Sequence, residues 1–207
     1  MKNKVSLFIL IFIIVFLNYK NILNHIAEQL TVVNITDFKK NYEVIIYIPS
    51  ISSCRYDELK YLYNNKYSEN IIIIKPFISS EEIERDALHS IEKIVANYIG
   101  KDSINITTIK FKIKKNDGFY VQRRVFEYIN QKNYKKVLIV EAPYFVKATK
   151  YIFDKLNEKQ KVKIDIYSSI DKEIINNWWS NEKGLIFFFN ALYSALQVKI
   201  SLLAGKI

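Results

Sequence analysis

Asn70-Ile71-Ile72-Ile73-Ile74-Lys75-Pro76 reads as a β-strand covered on both faces. Consecutive isoleucines leave no side for water, and β-branched side chains favour extended backbone. Pro76 ends the run, because it has no N–H to give a neighbouring strand. Two other stretches share this character. Glu43-Val44-Ile45-Ile46-Tyr47-Ile48 stops at Pro49, and Val137-Leu138-Ile139-Val140 is followed by Glu141-Ala142-Pro143. Unbroken apolarity of this kind belongs to the interior of a parallel sheet. Two further stretches alternate instead. Ile104, Ile106 and Thr108 lead into Ile109, Phe111 and Ile113, and Val162, Ile164 and Ile166 stand one apart. Alternation predicts strands with one wetter face, nearer the sheet edges.

Helical patterns fill the gaps. Residues 56–66 follow the first strand. Residues 80–99 follow the second, with Ser80 as N-cap, an inward stripe of Ile83, Ala87, Ile91, Ile94, Val95 and Tyr98, and Gly100 as the stop. Residues 119–133, with Val121, Val125, Phe126 and Ile129 inward, precede the fourth strand, and residues 143–156 follow it. Regular strand–helix alternation predicts an α/β fold: a Rossmann-like, three-layer domain on a mainly parallel five-stranded sheet.

Composition narrows the chemistry. Half of the 207 residues are hydrophobic, which excludes a disordered chain. The single Cys54 excludes an internal disulfide, and Cys54 with only His25 and His89 makes no zinc set; no metal site is expected. Four glycines are too few and too scattered for a Walker loop or a GxGxxG turn. The formal charge is +10, but it comes almost wholly from lysine in a chain also rich in Ile, Asn and Tyr. This is the amino-acid signature of an AT-rich genome, so nucleic acid is not expected as a partner. Arginine, which grips phosphate in a bidentate way, occurs only at positions 55, 85, 123 and 124.

The N-terminus carries a targeting pattern. Lys2 and Lys4 precede Val5–Leu17, which holds no charge, and Asn18, Tyr19 and Lys20 close the run. A basic stretch before an apolar one is an export signal, and no small-residue cleavage pattern follows it. Residues 1–20 are therefore expected to be an uncleaved signal anchor, with a cytoplasmic N-terminus and the body outside the cell membrane. A cleaved signal peptide and a buried helix are the rival readings. Residues 21–36 are expected to form a stem helix and linker, with Ile22, Leu23, Ile26, Leu30 and Val33 on one face, and residues 37–207 the domain.

The last helix begins after Trp178-Trp179, with Ser180 as its expected N-cap. From Gly184 to Ala204 it is apolar nearly all round. Such a helix must be buried or face lipid. Packing against the sheet and the stem helix is the expectation; docking at the lipid interface and a second span are the rivals.

Ligands of doubly wound folds bind beyond the carboxyl ends of the strands. Those ends offer Ser53 and Arg55 after the first strand, Asn116 and Asp117 before the helix at 119, and Glu141 after the fourth strand. These five are the candidate ligand-binding residues. Nowhere does a nucleophile stand with a base, so no catalytic residue is assigned and no cofactor is named.

The stretch Asn116–Leu156 resembles the core of the YdcF/SanA/ElyC-like family of bacterial proteins. In that family an Asn-Thr turn opens a helix, a strand ends in V-T-S, and a Y-H turn leads to a helix bearing basic residues. Here Asn116 matches the Asn and Asp117 replaces the Thr. Val140-Glu141-Ala142-Pro143-Tyr144 stands for V-T-S-P-Y, Phe145 occupies the His position and Lys147 a basic one. Trp178-Trp179 with Gly184-Leu185 resembles a W-W-x-x-x-x-G-L segment of some members. The family's Gly-Gly after the first strand is replaced by Pro49-Ser50. The resemblance implies a membrane-anchored protein of envelope biogenesis or maintenance, with a phosphorylated or nucleotide-like small-molecule ligand. A non-catalytic interaction module recruiting envelope partners is the alternative.

Overall fold

The computed structural model describes residues 18–27, 41–48, 56–77, 95–100, 105–112, 119–159, 162–168 and 178–205. In chain order these form α1 (18–27), β1 (Val44–Tyr47), α2 (Tyr56–Asn64), β2 (Asn70–Phe77), α3 (95–99) and β3 (Asn105–Lys112). There follow α4 (Tyr120–Gln131), β4 (Lys136–Val140), a 3-10 turn (Pro143–Phe145), α5 (Val146–Leu156) and β5 (Lys163–Tyr167). A second 3-10 turn (Trp178–Ser180) leads into α6 (Glu182–Leu203). Residues 1–17 of the expected signal anchor lie outside the described residues, while its last three, Asn18, Tyr19 and Lys20, are the first turn of α1; Leu30 and Val33 of the stem and most of the helix expected from Ser80 also lie outside them.

The five strands form one fully parallel sheet in the order β3-β2-β1-β4-β5. The three apolar runs are the three inner strands, and the two alternating runs are the two edges. β1 is the centre, pairing Ile45 with Ile71 on one side and with Leu138 on the other. All four of its residues are buried, because each face of the sheet carries a helical layer. Val44, Ile46, Ile72, Ile74, Val137 and Ile139 pack with Val125, Phe126 and Ile129 of α4 and Val146 and Phe153 of α5. Ile45, Tyr47, Ile71, Ile73, Leu138 and Val140 pack with Leu59 and Leu62 of α2 and Val95 and Ile99 of α3. The side chains sort by strand parity because successive residues point to opposite faces. Helices that follow β1 and β2 cover one face and those that flank β4 cover the other, which makes the three-layer, doubly wound arrangement.

Local chemistry ends the helices. After α2, Lys66 takes a left-handed φ of 58°, and the N–H of Tyr67 donates to the Leu62 carbonyl at 3.0 Å. After α4, Asn133 (φ 57°) and Tyr134 repeat this closure on Ile129 at 3.1 Å. Both are Schellman closures, with the buried Tyr67 packed back on Leu62 in the first.

The C-terminal helix differs from expectation in two respects. Its N-cap is Asn181 rather than Ser180: the Asn181 side chain accepts from the Gly184 N–H at 2.7 Å, and Ser180 ends the 3-10 turn. Among the described residues it also packs mainly on α5 and on the 3-10 turns in place of the sheet, while the expected contact with the stem helix is present, through α1. Val198 and Leu202 meet Ala148 and Ile152 of α5. At the other end Trp178 stacks on Phe188 with ring centroids 3.7 Å apart and donates from Nε1 to the Leu23 carbonyl of α1 at 3.1 Å. Ala27 and Leu23 complete that cluster. Gly184 permits it, because a Cβ there would fall 2.4 Å from the Trp178 Cα. The stem face is likewise narrower than its spacing suggests: Leu23 packs inward, whereas Ile22 and Ile26 are exposed.

Candidate functional site

The strand order 3-2-1-4-5 reverses between β1 and β4, and this is where ligands enter a doubly wound sheet, just beyond the carboxyl ends. The backbone N–H of Ile48, beyond β1, donates to Val140 at 3.0 Å, and that of Glu141, beyond β4, donates to Tyr167 of β5 at 3.0 Å. Glu141 therefore stands at the reversal point, held between the two neighbouring strands.

Its side chain turns inward, with a residue exposure of 3%. Oε1 accepts from the Ala142 N–H at 3.0 Å and Oε2 from the Thr149 hydroxyl at 3.3 Å. The carboxyl group thus ties the end of β4 to the second turn of α5. Among the described residues no cation pairs with it. Burial, opposed by the two hydrogen bonds, pushes its pKa up to about 8. At neutral pH the group is mainly a neutral carboxylic acid, capable of donating a hydrogen bond as well as accepting one.

Of the five candidate residues, Glu141 alone lies among those described. Ser53, Arg55, Asn116 and Asp117 lie outside them, as does Cys54. Thr149 was not foreseen. Its signal was a hydroxyl on the buried stripe of α5, among Val146, Ile152 and Phe153.

One turn past Glu141, the chain lines a groove of about 710 Å³ between the first 3-10 turn and α6. Tyr144, Phe145, Ile186, Phe187 and Tyr193 form its apolar walls, and Lys183 adds a positive charge. Tyr144 meets Phe187 edge to face at 6.1 Å. Phe145 sits half-exposed on this groove and brings no proton-transfer group to it. Among the described residues no three His, Cys, Asp or Glu side chains gather as metal ligands.

A polar group also occupies the opposite end of the sheet. Tyr42 donates to Asp165 Oδ2 at 2.6 Å, Lys163 lies 3.5 Å from the same oxygen, and Lys136 sits 4.3 Å over the Tyr42 ring. Burial and the Asp165 carboxylate push the Tyr42 hydroxyl well above its usual range, so it stays a donor. This is a brace joining the entry to β1 with edge strand β5.

No family model, curated protein or solved structure matches this chain. Among the described residues α6 is long and apolar enough to cross a membrane.

Proposed function

We propose that this chain is a membrane-anchored, envelope-associated domain of the YdcF-like kind that binds a phosphorylated or nucleotide-like small molecule where its sheet reverses. One observation carries the reading: a buried carboxylic acid, Glu141, with no cation beside it among the described residues, stands at the β1–β4 reversal of a 3-2-1-4-5 sheet. A core that needs only stability gains nothing from an acid there, whereas perturbed acids gather at binding and catalytic sites. In this reading Glu141 shapes the floor of the crevice and Ser53, Arg55, Asn116 and Asp117 meet the ligand. Val5–Leu17 holds the domain at the membrane, N-terminus inside and domain outside.

The test is thermal denaturation of the full chain in mild detergent with inorganic phosphate and a panel of nucleoside mono- and diphosphates. A ligand at a hundredfold its Kd adds about 2.7 kcal/mol, which for a domain of this size raises Tm by roughly 5–10 °C. The Arg55→Ala variant is expected to lose that shift. If no compound in the panel moves the wild-type transition, the reading fails. The second reading, a non-catalytic interaction module, is favoured by the apolar outer face of α6 and predicts that null result.

A further inference from the structure

Helix α6 has two apolar faces, and among the described residues the domain packs closely on one of them. Gly184, Phe188, Ala191, Ala195 and Val198 are buried against the domain. Ile186, Phe189, Tyr193, Leu196, Ile200 and Leu203 are exposed, from 49% at Leu196 to 87% at Leu203. Their spacing alternates three and four residues, which aligns them as one stripe along the helix. The stripe runs about 26 Å at 1.5 Å per residue. An apolar strip of that length on the outside of a domain calls for an occupant.

We propose that this outer face of α6 lies flat on an anionic lipid surface, as a second membrane contact beside the N-terminal run. The inference rests on the membrane-anchored reading above. Three observations select lipid. First, α1 follows Val5–Leu17 directly in the chain, and α1 is fixed to the start of α6 through Trp178, Leu23 and Ala27. α1 exposes apolar side chains of its own, Tyr19, Ile22 and Ile26. Second, thirteen residues reach only about 20 Å even as a helix, against a hydrocarbon core of about 30 Å, which draws α1 and the start of α6 toward the headgroups. Third, the charges suit anionic headgroups. α6 carries Lys183 and Lys199 against one acid, Glu182, and Lys147 of α5 joins Lys199 around the Tyr151 ring at 5.6 and 5.9 Å. Basic residues beside a membrane-facing apolar strip add about 1 kcal/mol each on an anionic leaflet.

The helix lies on the bilayer and does not cross it. A crossing would carry its packed partner α5 along, with the Lys150–Asp154 and Lys155–Glu158 ion pairs, into hydrocarbon.

The experiment uses the full chain carrying Cys54→Ser, with one cysteine placed in turn at Phe189, Leu196, Ile200 and, as control, Lys60 of α2. Each is labelled with an environment-sensitive fluorophore and reconstituted in phosphatidylcholine vesicles with brominated acyl chains, with and without phosphatidylglycerol. An unchanged urea transition establishes that each variant is folded. The three α6 positions are expected to lose most of their emission to the bromines at one shared shallow depth, more so with phosphatidylglycerol, while the Lys60 position loses none. Protein that stays on the vesicles by its N-terminus without quenching at α6 overturns this inference alone. Protein recovered entirely in the supernatant overturns the membrane reading as well. A deep centre with shallow ends indicates a span and overturns it, as does an unquenched label at position 196 together with a disulfide dimer of the unlabelled Leu196→Cys protein, which assigns the face to a second copy. Equal quenching with and without phosphatidylglycerol refutes the anionic surface.

Discussion

Replacing Glu141 by glutamine removes a proton equilibrium from the core while keeping its shape. In the unfolded chain the carboxyl titrates near 4.5, and in the fold near 8. Below pH 4.5 both states hold the proton and the group favours neither. Between these values the unfolded chain releases its proton and the fold does not, so stability falls as pH rises, at about 1.4 kcal/mol per pH unit. By pH 7 the wild type has lost about 3 kcal/mol through this one residue, and above pH 8 the loss levels off. The glutamine side chain of the variant has no such equilibrium. Its carbonyl keeps the bond from the Ala142 N–H, and its amide can donate to the Thr149 hydroxyl, at a cost of about 1 kcal/mol for imperfect geometry. E141Q is therefore expected to be less stable than the wild type at pH 4.5, equal near pH 5, and about 2 kcal/mol more stable at pH 7. Urea denaturation of the full chain in mild detergent, followed by circular dichroism from pH 4.5 to 8.5, measures the difference. A difference that stays constant across pH 5 to 8 refutes the reasoning, because it means that Glu141 keeps an ordinary pKa in the fold.

Thr149→Val removes a hydroxyl that lowers the Glu141 pKa, so it should move the pH midpoint upward and cost about 1 kcal/mol at pH 8; an unmoved midpoint argues against the contact. Gly184→Ala places a methyl group against the Trp178 backbone and should destabilise by about 1–3 kcal/mol with a red shift in tryptophan emission. Trp178→Ala is expected to cost about 3–5 kcal/mol and to speed trypsin cleavage after Lys20 by freeing α1 to unfold locally, since the Leu23 carbonyl loses its donor and Phe188 its stacked ring; an unchanged digestion rate would show that α1 stays docked by other means. Tyr42→Phe should cost about 1–2 kcal/mol in urea denaturation, because the Asp165 carboxylate loses a donor and keeps Lys163.

The sheet was legible because its signals are local. Four isoleucines in a row at Ile71–Ile74 admit only a strand closed on both faces, and the alternation from Asn105 to Thr108 shows as exposed and partly buried residues in turn. The strand order was not local: nothing in Val137–Val140 says that it pairs with β1, because that pairing is chosen by the whole set of helical layers. α6 was legible as a helix but not in its placement. When nearly every position is apolar, periodicity no longer marks the packed face, and Val198 and Ile200 look alike until α5 is set beside them. The cap shifted by one residue because Ser180 and Asn181 are both good caps, and the close approach of Trp178 to Gly184 decided between them. Glu141 was marked by its place at a strand end, yet its inward turn depends on Thr149, eight residues on.

The tie between Trp178 and the Leu23 carbonyl joins residues 155 positions apart. On the ribosome the stem emerges early, but the indole that receives it arrives only with roughly the final seventh of the chain. The parallel sheet has all its strands before then. Attachment of the stem is thus a closing event of biogenesis, and a polypeptide cut short before Trp178 would carry a finished sheet on an unfastened tether.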